Sequence, residues 1–439
     1  MEPQLNKFVM GAMIAAAFAD GSGAASAAGF ALIEQNATGI GNAFAGAAAV
    51  AEDASTIYFN PAGMTRLSGR QAVVALHAID FSAKFSNFAS SKPAAIVTNP
   101  LGGNGGDAGS VAAVPNGYFV MPVNEKMTFG IGVNAPFGLK TEYDDTWAGR
   151  FQGIKSDLKT INVNPALSFK VNDTVSVGVG INYQSIEAEL TNAVVLAPNT
   201  EGRTKLEADD TAWGWNAGIL FQVGPSTRIG ASYRSTIDYT LEGDVTTTTA
   251  AGTVVPTASG PANADVTLPD TFSVSVAHKM NDQFELLGDI SLTRWSEIDT
   301  ITIMNSSNGT IRDILSLDFD DSYRMSIGVN WNRDDMWTWR AGIAYDQTPV
   351  KNANTRTVRL PDNDRTWISL GAKYRLTGSA AIDFGFSHLM LGDADINFTR
   401  SQQTPGLTVP TPAAGTQSVV NGSYEGSVNI LSIQYTQSF

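Results

Sequence analysis

Apolar and polar side chains alternate along most of the sequence after about residue 70. Residues 227–241 show the pattern clearly: one row is mainly Ile, Tyr and Leu, and the other is mainly Arg, Ser, Thr and Asp. Similar rows run through residues 175–183, 323–331 and 337–345. Successive side chains of a β-strand point to opposite faces, so the alternation predicts a sheet with one apolar and one polar face.

The predicted strands are long. Many extend for ten residues or more, whereas strands of soluble proteins have about 5–6 residues and a tilted transmembrane strand needs about 9–11. A soluble β-sandwich with one wet face would also alternate. It does not explain the aromatic residues near strand ends, such as Trp331, Trp337 and Trp339 around one short turn. Aromatic residues at both lipid–water boundaries are typical of a transmembrane β-barrel.

The connections between the predicted strands alternate in length. Six are short and seven are longer, and the longer ones include residues 192–205 and 244–263. Thirteen connections join fourteen strands, so we predict an all-β, fourteen-stranded antiparallel transmembrane barrel over residues 70–439. Short turns at one end and long loops at the other are typical of bacterial outer-membrane barrels, in which the short turns are periplasmic.

The first 27 residues predict a signal peptide. Lys7 is followed by an apolar stretch over residues 8–18 and then by small residues up to Ala27. A basic start, a short apolar core and a small-residue cleavage site are the parts of a secretory signal. The apolar stretch is too short to span a bilayer as a helix. Together with the barrel pattern, this predicts a location in the bacterial outer membrane.

The composition argues against several classes of function. The formal charge of −14 disfavours a nucleic-acid partner, because binding to phosphates needs a basic face. The absence of cysteine excludes disulfides and thiolate metal sites. The three histidines lie on different predicted strands without ligand-like spacing, and no phosphate-loop or other cofactor motif is present. A hydrolase built from Ser, His and a carboxylate is conceivable, but no spacing singles one out. We therefore expect no metal, no cofactor and no enzymatic activity.

Residues 28–69 depart from the alternation and are rich in small residues. They include Asn60-Pro61-Ala62-Gly63, in which proline disfavours a central strand and glycine permits a tight turn. The segment predicts short helices before the first strand. A fourteen-stranded barrel is too wide for its own side chains to fill, so these helices can occupy the lumen. A floppy periplasmic tail is the alternative, although the low charge and many apolar residues argue against it.

Several separate motifs, in order along the whole mature chain, resemble the FadL family of outer-membrane long-chain fatty acid transporters. They are Ala28-Gly29-Phe30, Asn60-Pro61-Ala62, Asn134-Ala135-Pro136-Phe137-Gly138, Tyr345-Asp346, Leu360-Pro361-Asp362-Asn363-Asp364-Arg365 and Ile382-Asp383-Phe384-Gly385. The resemblance implies that residues 28–69 form a hatch plugging the lumen. It also implies a kink in the third strand that opens the wall sideways, so that substrate leaves laterally into the membrane.

The kink would fall at Asn134, Pro136, Phe137 and Gly138. The residues support it independently, because Pro136 removes a hydrogen-bond donor from the strand and Gly138 weakens the strand. The resemblance further implies that Asn60, Pro61 and Ala62 belong to the hatch, with Asn60 lying against the kink. Phe30, near the mature N-terminus, would enter the ligand pocket as a movable plug.

In the family, two basic pocket residues meet the fatty-acid carboxylate. The corresponding positions here are Asn192 and Leu315, neither of which is basic. The nearest basic residues are Arg312, Arg203 and Lys205, so the carboxylate anchor is either built from other residues or absent. The residues that the resemblance places in or near the pocket are Ala188, Asn192, Arg312, Leu315 and Asp346.

The predicted function is passive uptake of hydrophobic compounds, chiefly long-chain fatty acids, across the outer membrane. The partners would be the hydrophobic small molecule and the outer-membrane lipids, and the barrel would act as a monomer. Uptake of monoaromatic hydrocarbons or other neutral apolar compounds is the main alternative, favoured by the missing basic residues. A general porin is a weaker alternative, because a porin needs no hatch.

Overall fold

The structure is a computed structural model that describes residues 29–439. The predicted signal peptide, residues 1–27, and Ala28 lie outside the described residues. Fourteen strands form a closed antiparallel barrel, as predicted, and six of them are interrupted. They are β1 (Gln71–Asn87), β2 (Val111–Pro122), β3 (Met127–Asn134 and Gly138–Glu142), β4 (Lys155–Lys170), β5 (Val175–Ala197), β6 (Thr200–Val223), β7 (Thr227–Arg234 and Ile237–Thr249), β8 (Gly260–Leu268 and Thr271–Lys279), β9 (Phe284–Thr293 and Thr300–Asn305), β10 (Ile311–Ser316 and Ser322–Asn332), β11 (Trp337–Asp346), β12 (Arg365–Arg375), β13 (Ala380–Leu391 and Ala394–Arg400) and β14 (Ser418–Ser438).

Pairing of the last strand with the first closes the barrel. β14 runs antiparallel to β1, from Gln71 opposite Ser438 to Asn87 opposite Gly422. This pairing leaves no free edge between the first and last strands, which a sheet needs when it is surrounded by lipid. The alternation predicted from the sequence sets the two faces. On β5, for example, Val179 and Ile181 are 60% and 53% exposed on the outside, whereas Asn182 is fully buried on the inside.

The short turns all lie at one end of the barrel and the longer loops at the other, as predicted. One of the predicted long connections is wrong. Residues 192–205 form a tight hairpin, in which β5 ends at Ala197 and β6 begins at Thr200. The two strands pair almost continuously to that turn, so this hairpin projects beyond the apolar belt of the barrel instead of forming an open loop.

Three one-turn helices and a 3-10 helix occupy the lumen. They are α1 (Ala37–Ile40), α2 (Ala47–Val50), α3 (Thr56–Phe59) and the 3-10 helix Pro61–Arg66. α1 packs against β12 and β13, α2 against β7 and β8, and the 3-10 helix against β4, β5 and β6. Small residues allow this close packing: a Cβ on Gly371 of β12 would lie 2.6 Å from the Cα atom of Gly41. Among residues 29–439, no helix is long and apolar enough to cross a membrane.

The third strand is broken where the kink was expected. Residues 135–137 separate the two parts of β3, and β2 pairs with β3 only up to Gly117 opposite Val133. Within residues 29–439, the outer half of β2 therefore has no ladder partner on the β3 side. Asn134, at the edge of the break, is buried and accepts a hydrogen bond from Asn162 Nδ2 over 3.1 Å.

Candidate functional site: the kink, the N-terminal segment and the inner cavity

The first described residues lie against the break in β3. We call residues 29–35 the leading segment. The amide of Leu32 donates to the carbonyl of Pro136 over 2.7 Å, and the amide of Gly138 donates to the carbonyl of Phe30 over 2.8 Å. Ala31 and Phe137 form an isolated antiparallel β-bridge. The leading segment thus supplies the backbone partners that the broken strand lacks, and it covers the break from inside.

Phe30 is held by aromatic rings from two elements of the wall. Its ring centroid lies 6.0 Å from that of Phe137 and 4.8 Å from that of Trp295, which meets it edge to face. Trp295 is directed inward by a 3-10 turn, Trp295–Glu297, that interrupts β9. Such edge-to-face aromatic pairs are favourable beyond the apolar area they bury. Phe30 is only 6% exposed, so the leading segment is docked and not loose.

A motif from the loop before β12 fixes the start of the leading segment. The amide of Gly29 donates to Oδ2 of Asp362 over 2.9 Å. Asp362 is buried and also forms an ion pair with Arg365. These residues belong to the sequence Leu360-Pro361-Asp362-Asn363-Asp364-Arg365, whose role was not assigned from the sequence alone.

An apolar cavity lies directly beyond Phe30. Together with its mouth it measures about 930 Å³, in the range of small-molecule sites. Its walls come mainly from β4 to β10 and are almost wholly aliphatic. Among the lining residues are Phe30, Leu139, Leu158, Ile186, Ala188, Leu206, Leu241, Val266, Ile301 and Leu315. The structure therefore brings three of the predicted residues, Phe30, Ala188 and Leu315, to one cavity.

Among the described residues that line this cavity, Arg359 is the one charged side chain. It lies in the loop between β11 and β12 and is 7% exposed. One terminal nitrogen donates to the carbonyl of Lys155 over 2.9 Å and to Oγ of Ser156 over 3.0 Å. The other reaches Oδ1 of Asn192 over 3.4 Å, and its Nε finds no partner among the described residues. Sequence reasoning missed Arg359 because it lies far along the chain from both expected anchor positions.

Three predicted pocket residues, Asn192, Arg312 and Asp346, do not line the apolar cavity, and the other basic candidates form contacts elsewhere. Arg312 lies outside the apolar cavity, where its Nε donates to the carbonyl of Pro261 over 3.3 Å. Asp346 lines a separate, more polar cavity between the hatch and the wall. Arg203 forms an ion pair with Asp145, and Lys205 lies 2.7 Å from a carboxylate oxygen of Glu207. Arg312 and Asp346 were expected in the ligand pocket, and neither is among the residues that line the apolar cavity.

Asn60 does not lie against the kink, and that prediction is corrected. Its side-chain amide donates to the carbonyls of Ala48, over 2.7 Å, and Ile219 of β6, over 3.0 Å. Its Oδ1 accepts from the amide of Ala62 and so caps the 3-10 helix that begins at Pro61. Asn60, Pro61 and Ala62 form a joint within the hatch and fasten it to β6, while the leading segment makes the contacts with the kink.

Opposite β6, the hatch is fastened by buried charges. Glu52 lies 2.7 Å from both Arg340 of β11 and Lys373 of β12. Arg340 also pairs with Asp383 of β13 over 2.9 Å, and the side chains of Arg340 and Asp383 are fully buried. We call these four residues the latch. Two cations and two anions balance there, as buried charges require.

We predict that Phe30→Ala and Pro61→Ala impair uptake without reducing barrel assembly. The first removes the aromatic contacts that dock the leading segment; truncating a buried Phe costs about 3–5 kcal/mol. The second loosens the 3-10 helix, because proline fixes the backbone of its first residue. Uptake should fall several-fold when surface abundance is matched by heat-modifiable gel mobility. Normal uptake by both variants would remove the proposed hatch roles.

Comparisons with known proteins agree with this architecture. A model of the family described as "Outer membrane protein transport protein (OMPP1/FadL/TodX)" matches residues 18–439. The chain is 32% identical over 416 residues to outer membrane protein P1 of Haemophilus influenzae, covering 86% of this chain and 89% of that protein. It is 29% identical over 410 residues to the long-chain fatty acid transport protein of Escherichia coli K12, covering 84% and 89%.

A solved structure shares the fold. The crystal structure of a Pseudomonas aeruginosa FadL homologue superposes with a TM-score of 0.84 at 24% sequence identity, covering 94% of this chain and 100% of that one. The match over nearly the whole chain, the closed fourteen-stranded barrel and the lumen helices lead to one conclusion. The chain belongs to the OMPP1/FadL/TodX family of outer-membrane transport proteins and resides in the outer membrane.

Proposed function

We propose that this protein takes up long-chain fatty acids by passive passage through the barrel. The acyl chain would be captured in the apolar cavity, movement of the leading segment and hatch would release it, and the break in β3 would let it out into the membrane. The family supports transport of hydrophobic compounds in general. The choice of an acid as substrate is the further step, and the cavity itself supports it.

The observation that carries the proposal is the position of Arg359. A cavity with almost wholly aliphatic walls suits an acyl chain. Arg359 lies at the edge of this cavity, is buried, and forms no ion pair within residues 29–439. Burial and the like charge of Arg400 lower the pKa of Arg359, and a bound carboxylate would offset both effects. An acid of this shape would meet aliphatic side chains along its tail and a cation at its head.

A neutral hydrocarbon is the second candidate. The two positions at which the family resemblance implies basic residues, Asn192 and Leu315, are neutral, and the cavity is apolar apart from Arg359, Ser156 and Asn263. A small aromatic compound would fill this space without using a charge. The two candidates therefore differ in whether uptake depends on Arg359.

Release needs no energy source in this proposal. A hatch with two positions can exchange between them thermally, and a ligand shifts the balance only through its different affinity for the two. The leading segment would alternate between covering the break in β3 and leaving it open. The concentration difference across the outer membrane sets the direction of net transport.

We expect Arg359→Met to lower the uptake of labelled oleate at least tenfold, because a charge-assisted hydrogen bond to a carboxylate contributes roughly 1.5–3 kcal/mol. Methionine keeps an apolar side chain of similar length, so the cavity wall is preserved. Uptake would be measured in cells lacking their own fatty-acid transporter, alongside labelled toluene.

Arg203→Met is the matched control, since this arginine pairs with Asp145 outside the cavity. It should leave oleate uptake unchanged. If the wild-type protein takes up toluene but not oleate, the fatty-acid proposal is wrong and the hydrocarbon candidate replaces it. If oleate uptake is saturable but is unchanged in Arg359→Met, fatty acid remains the proposed substrate and the proposed role of Arg359 is wrong.

A further inference from the structure

A second cavity adjoins the apolar cavity on its outer side, and we call it the outer cavity. It lies between β10, the loop before β12 and the end of β13. Its walls include Leu315, Leu317, Thr357, Arg359, Arg400 and Gln152. Three of these, Leu315, Leu317 and Arg359, also line the apolar cavity, so the two spaces share one wall.

The outer cavity collects buried polar atoms without partners. Among the described residues, the Nε atoms of Arg359 and Arg400, Oγ1 of Thr357 and Oε1 of Gln152 are buried and make no hydrogen bond. Buried polar groups are normally satisfied, because leaving one unpaired is destabilising. Three of the four atoms carry a hydrogen to donate. A ligand that accepts several hydrogen bonds would satisfy them together.

The charges of this cavity do not balance. Arg400 forms an ion pair with Asp313. Arg359 lines the same cavity as Arg400 and forms no ion pair with any carboxylate of residues 29–439. Two guanidinium groups and one carboxylate leave an excess of one positive charge, in a place where burial strengthens electrostatic interactions. One monovalent anion would restore neutrality.

Arg400 is positioned independently of its acidic neighbour. One of its terminal nitrogens donates to the carbonyls of Phe151, over 3.2 Å, and Gln152, over 3.0 Å. These backbone contacts hold the guanidinium at the cavity when Asp313 is neutralised. The side chain can therefore be treated as a fixed donor with two acceptors competing for it, Asp313 and an incoming anion.

We propose that the outer cavity is the carboxylate-binding site through which the acid enters. The head group binds between Arg359 and Arg400, with Thr357 as a further donor, and the chain passes the shared wall into the apolar cavity. This inference rests on the proposed function and adds to it the head-group site and the entrance. The entrance then lies between the outer ends of β10 and β13.

The test compares an acid with its neutral ester on the purified full-length protein. The probes are cis-parinaric acid and its methyl ester, whose fluorescence rises on binding. Arg400→Met should weaken binding of the acid about tenfold and leave the ester within about twofold. Asp313→Asn should strengthen binding of the acid, by about threefold, because it removes the competing carboxylate. A purely structural role for this pair would weaken binding in both variants.

Arg312→Met serves as the control, because this arginine neighbours Asp313 in sequence but lies outside both cavities. It should change neither affinity. An unchanged acid-to-ester affinity ratio in Arg400→Met, or weaker acid binding in Asp313→Asn, overturns the proposal while leaving the fatty-acid function intact. If the wild-type protein binds neither probe, the proposed function fails and this inference fails with it.

Discussion

Uptake should fall at least tenfold when the leading segment is joined covalently to the kink by Ala31→Cys and Phe137→Cys. These residues form an antiparallel β-bridge, and bridged partners lie about 4.5–5.5 Å apart between Cα atoms, within the range of a disulfide. The natural chain has no cysteine, so no other thiol competes. The bond would hold the leading segment over the break in β3, and reduction should restore uptake in the same sample.

The control for this variant is a second isolated bridge in the same protein. Ser91→Cys with Val419→Cys joins two loop and strand residues outside the lumen. Its oxidation should leave uptake unchanged. Full uptake by the oxidised Ala31–Phe137 variant would show that substrate leaves without displacement of the leading segment. The proposal that this segment controls the lateral route past the kink would then be wrong.

The second large effect is expected from Glu52→Gln in the latch. The change removes one anion and leaves Arg340 and Lys373 to share Asp383, which lies 2.9 Å and 3.8 Å from them. Breaking a fully buried ion pair costs roughly 3–5 kcal/mol. Because the Glu52 side chain is 25% exposed, the cost is taken at the lower end, about 3 kcal/mol, which would raise the ratio of displaced to docked hatch roughly 100-fold. We expect frequent ion-conducting openings in planar bilayers, where the wild-type protein should stay nearly silent.

Glu125→Gln is a suitable comparison, because Glu125 is an exposed carboxylate in the short turn between β2 and β3. It should leave conductance at the wild-type level. If Glu52→Gln also stays silent, the bonds of Asn60 to β6 and the other hatch contacts suffice without the latch. Large steady currents through the wild-type protein would contradict the plugged barrel and favour a porin.

Together these two variants separate two ways of opening the barrel. The hatch helices are fastened on several sides, by Asn60 to β6, by Glu52 to β11 and β12, and by Gln434 of β14 to Asp53. The leading segment is fastened at Asp362, at the break in β3, and by Asn116 and Tyr118 of β2. We expect substrate to need only the movement of the leading segment, whereas loss of the latch frees the whole hatch.

The break in β3 lies where the sequence predicted the kink, but the contacts around the break were not all predicted. Pro136 and Gly138 act on their own strand, so a break there can be inferred locally. The residues that cover the break from inside cannot be inferred locally in this way. Asn60 was expected at that place from the family resemblance, yet its side chain bonds to β6, and Ala31 and Leu32 fill the position instead.

The fourteen-stranded barrel could be predicted from the sequence alone. Most strands are long and alternate apolar with polar residues, and short turns alternate with longer loops. Each strand therefore indicates the same boundary between lipid and lumen. The inner and outer cavities were decided by tertiary structure. Phe30 meets Trp295 and lines one cavity with Arg359 only because the closed barrel and the hatch bring together segments that lie far apart along the chain. No local sequence pattern predicts these contacts, because the sequence around a loop arginine can be the same whether its side chain faces water or a carboxylate.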